Sequence, residues 1–206
     1  MEQIVVTGGR RLHGSVEVCG AKNAVLKHLV AMLLAPGTHR LGNVPGIADV
    51  EIMCRVLEYI GATSDRDGRS LRVEIPDDLR PEAPIDLVRK MRASILVLGA
   101  LLARTGEARV ALPGGDDFGS RPIDMHLDGL EALGARFELR HGVLHADAPG
   151  GLRGTEIDLE FPSVGATENV LFGAVMARGR TVITNAAREP EIADLAAALV
   201  AMGARI

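Results

Sequence analysis

Three basic side chains stand where apolar helical runs are about to begin: Lys22 in Gly20-Ala21-Lys22-Asn23-Ala24, Arg92 in Lys90-Met91-Arg92-Ala93-Ser94, and Arg121 just before Pro122. The first turn of a helix carries unsatisfied N–H groups and a partial positive charge, so an acid is favoured there and a cation has the wrong sign. Lys22 and Arg92 are therefore either solvated, or they share the helix start with a bound phosphate or carboxylate. Pro122 suits a first helical position, which makes Arg121 a candidate third anion contact. Another segment, Ser163-Val164-Gly165-Ala166-Thr167, opens its run with small residues. It reads either as a backbone cradle for phosphate or as a helix whose Ser163 or Thr167 is an ordinary N-cap.

A candidate acid lies in Leu112-Pro113-Gly114-Gly115-Asp116-Asp117-Phe118-Gly119-Ser120-Arg121-Pro122. Glycines give this stretch backbone freedom and adjacent carboxylates could deliver a proton, as in a closing lid, although a solvated turn has the same composition. In Asn185-Ala186-Ala187-Arg188-Glu189-Pro190-Glu191 the Arg188 and Glu189 side chains are placed to pair, with no assigned role.

Other chemistries find little support. Lys22 lacks the following Ser or Thr and the upstream Gly of a P-loop, and no dinucleotide glycine fingerprint occurs. The His residues at 13, 28, 39, 126, 141 and 145 show no metal-ligand spacing, so no metal is expected. A net charge of −4 with 2% aromatic residues disfavours nucleic-acid binding. Cys19 and Cys54 form no Cys-x-x-Cys pair, which suits a reducing cytosol, and both are expected to be small core residues. Met1-Glu2-Gln3 begins no long apolar run, so no secretory signal is expected. The apolar run from Ile95 to Ala103 is about half the length of a membrane span, and a cytoplasmic protein is expected.

The elements that hold these residues follow a repeat. Leu57-Glu58-Tyr59-Ile60-Gly61-Ala62 returns as Leu130-Glu131-Ala132-Leu133-Gly134-Ala135 and as Leu199-Val200-Ala201-Met202-Gly203-Ala204, a period of about seventy residues. Gly37, Gly106 and Gly179 are expected to close the first helix of each unit, the first such helix running from Lys22 to Ala35. Alternating strands follow at Thr38–Leu41, Ala108–Leu112 and Thr181–Thr184. Hairpins are expected through Arg66-Asp67-Gly68 and Arg140-His141-Gly142, each with a Gly for positive φ. The third unit reaches Ile206 soon after its Gly-Ala, so the sequence is expected to stop inside a repeat, a natural stop being the alternative. The fold class is mixed α/β, and 47% hydrophobic content with few aromatics predicts a core of closely packed small aliphatics. If the three units are equivalent, their helix starts face one common anion.

These ordered segments together resemble the UDP-N-acetylglucosamine enolpyruvyl transferases of peptidoglycan synthesis, within the EPSP synthase family. The resemblance rests on Gly20–Ala24, Met91–Ser94, Leu112–Gly115, Arg121–His126, Ser163–Thr167 and Asn185–Glu191, and it extends over essentially the whole chain while matching only the family's first half. It implies repeated βαβαββ units in an inside-out α/β barrel, two such domains meeting at a cleft. By this resemblance residues 1–19 would belong to the absent second domain. Residues 20–206 would form the first, in units of about 20–76, 77–149 and an incomplete 150–206.

The resemblance further implies transfer of the enolpyruvyl group from phosphoenolpyruvate to the 3-hydroxyl of UDP-N-acetylglucosamine, releasing phosphate, with no cofactor. Lys22, Asn23, Arg92 and Arg121 would serve phosphoenolpyruvate, while Asn23, Arg92, the stretch Arg121, Pro122, Ile123, Asp124 and Met125, and Ser163, Val164 and Gly165 would serve the UDP-sugar. Asp116 would be the proton donor where many members carry Cys, which implies insensitivity to fosfomycin. A catalytic carboxylate and a further Arg would come from the missing C-terminal domain, so the chain alone is expected to be inactive. The alternatives are a related enolpyruvylshikimate-phosphate synthase and a non-catalytic nucleotide-sugar-binding half-protein.

Overall fold

The computed structural model describes residues 3–112 and 122–206. Residues 3–19 form neither helix nor strand and lie exposed. The ordered chain begins with α1 (Lys22–Met32), β1 (Gly37–Leu41), α2 (Ala48–Ile60), β2 (Thr63–Asp67) and β3 (Ser70–Ile75). It continues through α3 (Ile85–Val88), a 3-10 helix (Arg92–Leu96), α4 (Val97–Thr105), β4 (Glu107–Ala111), α5 (Asp124–Ala132), β5 (Arg136–Arg140) and β6 (Val143–Asp147). The last elements are β7 (Glu156–Asp158), α6 (Val164–Ala174), β8 (Val182–Thr184) and α7 (Pro190–Ala201).

Period and burial agree element by element. In α2 the buried residues Val50, Met53, Cys54, Leu57 and Ile60 fall on one face, as a 3.6-residue repeat requires. In β3 Leu71, Val73 and Ile75 are buried while Arg72 and Glu74 point to water. Two antiparallel sheets result, ordered β1-β3-β2 and β4-β6-β5, and β7 pairs with β8 in parallel. The hairpin between β5 and β6 turns through His141 and Gly142, both at positive φ, and that between β2 and β3 places Gly68 at φ 56°.

Helix α6 is the centre of the molecule, buried at every residue from Ala166 to Gly173. Its neighbours approach closely because they present glycine. A Cβ on Gly129 would fall 2.3 Å from Val170 Cγ2, and one on Gly99 would fall 2.4 Å from the Asn169 carbonyl oxygen. Phe172 is a fully buried aromatic, and the surrounding core is Leu, Val, Ile and Ala.

Several expectations need correction. Helix α1 ends at Met32, not Ala35, and of the three expected stop glycines only Gly106 is a helix C-cap, at φ 77°. Gly37 and Gly179 follow α1 and α6 by several turn residues, though both retain positive φ. Pro122 precedes the N-cap Ile123 instead of opening α5. The run after Arg92 starts as a 3-10 helix before becoming α4. Cys54 is buried as expected, but Cys19 is exposed.

Candidate functional site

The helix starts gather on one side of the fold. His126, in the first turn of α5, lies against the first turn of α6, where a Cβ on Gly165 would fall 2.9 Å from the ring. Further along, Gly129 meets Val170, and Leu130 and Leu133 meet Gly173, so α5 and α6 run parallel with their starts level. Helices α1 and α7 are likewise parallel: Asn23 Nδ2 donates to Glu191 Oε1 at 3.0 Å, and His28 Nε2 lies 3.2 Å from Asp194. An ion pair between Lys27 and Glu168 at 3.1 Å, each near the middle of its helix, joins α1 to α6.

Arg92 opens the 3-10 helix and is half-buried, its Nη2 donating to the Pro122 carbonyl at 3.4 Å. That bond brings the second basic cassette to the lead-in of α5, where Pro122 and Asp124 are exposed and Ile123 and Met125 half-buried. Asp116 and Arg121 lie outside the described residues. Lys22 is the first residue of α1, with its ammonium 2.9 Å from Asp49 near the start of α2. Asp49 thus gives this cation a protein partner, and its position alone does not require a bound anion.

Ser163 is the N-cap of α6, its hydroxyl accepting from Ala166 N–H at 3.4 Å. The ordinary capping role is therefore filled, and Val164 and Gly165 remain half-buried at the helix start. Thr167 does more than follow the cap: its hydroxyl donates to the Ser163 carbonyl at 2.8 Å and accepts from Ala187 N–H at 3.0 Å. The loop carrying Arg188 and Glu189 is thereby tied to α6. Beside this loop opens a cavity of about 720 Å³, lined by Pro162, Ile183 and residues 185–189, a size that accommodates a small ligand. Arg188 and Glu189 do not pair with one another among the described residues.

Two buried titratable groups, Glu168 in α6 and His126 in α5, were given no role by sequence reasoning. Burial pushes the Glu168 carboxyl up to about 7, outweighing the attraction of Lys27. Burial first, and then Arg92, push His126 down to about 4 against the pull of Asp124, so its ring is neutral at pH 7. The available signal was a set of polar letters inside apolar runs, Lys27 in α1 and Thr167-Glu168-Asn169 in α6. Among the described residues no group of three or more His, Cys, Asp or Glu could hold a metal ion. No described helix is long and apolar enough to cross a membrane.

The sequence profile of the EPSP synthase (3-phosphoshikimate 1-carboxyvinyltransferase) family matches residues 6–206. The UDP-N-acetylglucosamine 1-carboxyvinyltransferase of Corynebacterium jeikeium is 55% identical over 205 residues, covering 100% of this chain and 49% of the relative. The protein of the same name from Gluconacetobacter diazotrophicus is 56% identical over 208 residues, covering 100% and 50%. The chain spans about half the length of the curated relatives it matches. Among solved structures, the enolpyruvyl transferase NikO of Streptomyces tendae superposes with a TM-score of 0.83 at 26% identity, over 97% of this chain and 47% of that one. An EPSP synthase of Acinetobacter baumannii gives 0.65 at 19% identity over 86% and 41%, a likeness of fold.

Proposed function

The chain belongs to the EPSP synthase family, and on that premise we propose that it forms one wall of the cleft of an enolpyruvyl transferase acting on UDP-N-acetylglucosamine and phosphoenolpyruvate. One observation carries the choice of substrate. Relatives that align with the entire chain at more than half identity bear the UDP-N-acetylglucosamine name, whereas the EPSP synthase of Acinetobacter baumannii is 19% identical.

In this reading residues 20–206 are three βαβαββ units of an inside-out barrel, the third incomplete. The shared strand order of the two antiparallel sheets supports this, as do the positive-φ glycines Gly61, Gly134 and Gly203 at the end of each unit's second helix. Residues 1–19 belong with the second domain, in keeping with the exposure of Ile4, Val5, Val6, Leu12, Val16 and Val18. The remaining half of the relatives' length supplies the other wall. Free thiols at Cys19 and Cys54 suit a cytoplasmic setting.

The reaction follows from the groups on this wall. Lys22, Arg92 and Arg121 hold the phosphate and carboxylate of phosphoenolpyruvate, and Asn23 meets the aminosugar. Uridine lies along Arg121 to Met125, and the diphosphate meets the amides at Ser163, Val164 and Gly165. Asp116 gives its proton to the methylene carbon, leaving a cationic centre that the sugar 3-oxygen attacks while its own proton passes to a base on the other wall. The bond to the phosphate oxygen then breaks, and the methyl group returns a proton to restore the vinyl ether. Cations and helix starts stabilise the phosphate as charge moves onto it.

Calorimetry with UDP-N-acetylglucosamine and a phosphate-release assay test the reading together. The 206-residue chain should bind the nucleotide sugar and release no phosphate from phosphoenolpyruvate until the second half is supplied, for example from a relative. Failure to bind the sugar, or turnover by the chain alone, contradicts it.

A further inference from the structure

Asn169 is completely buried, and every hydrogen-bonding atom of its side chain is used. Oδ1 accepts from Gly99 N–H at 2.8 Å, and Nδ2 donates to the Ile95 carbonyl at 3.1 Å. In an uninterrupted α-helix those two backbone groups would bond each other, since Gly99 follows Ile95 by four residues. The side-chain amide stands between them. Its insertion coincides with the junction where the 3-10 helix that begins at Arg92 becomes α4, as expected where a side chain enters the backbone ladder. Gly99 permits this approach because it has no Cβ.

The second Nδ2 hydrogen lies toward His126 Nδ1, 2.9 Å away. Which end of the amide faces which way is not open, because a backbone N–H can only donate and a carbonyl can only accept. Oδ1 must face Gly99 and Nδ2 must face Ile95, so His126 Nδ1 receives a donor and carries no proton. The proton of the neutral ring therefore sits on Nε2. That nitrogen has no hydrogen-bond partner among the described residues, and it is not among the atoms sealed from solvent without one, His28 Nε2, Glu168 Oε1 and Thr181 Oγ1. It lies beside the first turn of α6, where a Cβ on Gly165 would be 3.1 Å from it.

We infer that Asn169 is a positioning residue of the candidate site: it holds open the start of α4, thereby setting Arg92, and fixes His126 as an Nε2–H donor beside Gly165. The starts of α4 and α5 are thereby tied by one side chain to the middle of α6. The inference rests on the proposed function only for the ligand that this arrangement serves; the proton position on His126 stands independently of it. The charged groups that act on the ring are Arg92 and Asp124, and neither changes this assignment, because a proton on Nδ1 would point at the amide's own hydrogens.

Long-range proton–nitrogen NMR of the 206-residue chain labelled in histidine reads the tautomer directly. In the unmodified chain at pH 7, His126 should carry its proton on Nε2, and finding it on Nδ1 overturns the inference. Asn169→Asp removes the donor and offers an acceptor, so the proton should move onto Nδ1; retention on Nε2 in a folded variant also overturns it. Asn169→Leu lets Gly99 and Ile95 bond each other, which preserves the helix while releasing Arg92 and the ring. Affinity for UDP-N-acetylglucosamine should then fall by about tenfold or more, since small misplacements of binding groups are costly, with cooperative unfolding retained. Unchanged affinity in that variant refutes the positioning role. Should either variant fail to fold, the proton position in the unmodified chain decides. Absence of sugar binding by the unmodified chain counts against the proposed function and leaves the tautomer result to stand or fall alone.

Discussion

Replacing Glu168 with Gln should abolish one loss of stability that the parent suffers as pH rises, and the direction follows from burial. Glu168 is 1% exposed beside Lys27, with Glu189 and Glu191 adding negative charge from the start of α7. Its carboxyl is raised from an ordinary 4.5 to about 7 because loss of hydration outweighs Lys27. Between those pH values the folded chain keeps a proton that the unfolded chain has released. The stability contributed by the protonated carboxyl is thus fully present below about pH 4.5 and is lost as pH rises through about 7. At about 1.4 kcal/mol per pH unit the whole effect is about 3 kcal/mol. Gln cannot ionise, so the stability of Glu168→Gln relative to the parent should climb by about 3 kcal/mol between pH 4.5 and 8. Urea unfolding at half-unit pH intervals measures that difference, in which the opposite contribution of His126 cancels. A difference that stays level or declines as pH rises would mean that the ion pair is net favourable, and the reasoning about burial would be refuted.

Gly99→Ala should force α4 from α6, because its Cβ would stand 2.4 Å from the Asn169 carbonyl oxygen and 2.6 Å from Oδ1; a loss of about 1–3 kcal/mol in denaturant unfolding is expected. Phe172→Ala empties a site that is 0% exposed and should cost about 3–5 kcal/mol by the same assay. His126→Gln should gain stability relative to the parent as pH falls from 6.5 to about 4, because the buried ring resists protonation there while the unfolded one accepts it; denaturant unfolding of both chains across that range reads the difference. In an active assembly containing both halves, Asp116→Cys should make phosphate release sensitive to fosfomycin, since a thiolate is alkylated where a carboxylate at this position is not.

Periodicity alone revealed what depends on one element at a time. The face of α2, the alternation of β3 and the glycine turns at Gly68 and Gly142 each appear in a few consecutive letters. The 3-10 start of α4 did not, because its cause is the side chain of Asn169, which reaches Ile95 from 74 residues away. Lys22 shows the same limit in the site. Its position at a helix start suggested an anion, but Asp49 is brought beside it by the packing of α2, which no local pattern announces. Lys27 and Glu168 stand as polar letters within largely apolar helices, and only the approach of α1 to α6 makes them partners. Cys19 was expected in the core from its composition class, yet it lies in a stretch with no secondary structure to bury it.

The central claim is that helix starts on one side of this fold receive the nucleotide sugar. Titrating UDP-N-acetylglucosamine into the isotopically labelled chain while following backbone amides tests it most directly. The amides of Asp124, Met125, Val164 and Gly165 should shift together and saturate with a single affinity. If they remain still while other surfaces respond, or if nothing responds, the helix starts are not the binding site.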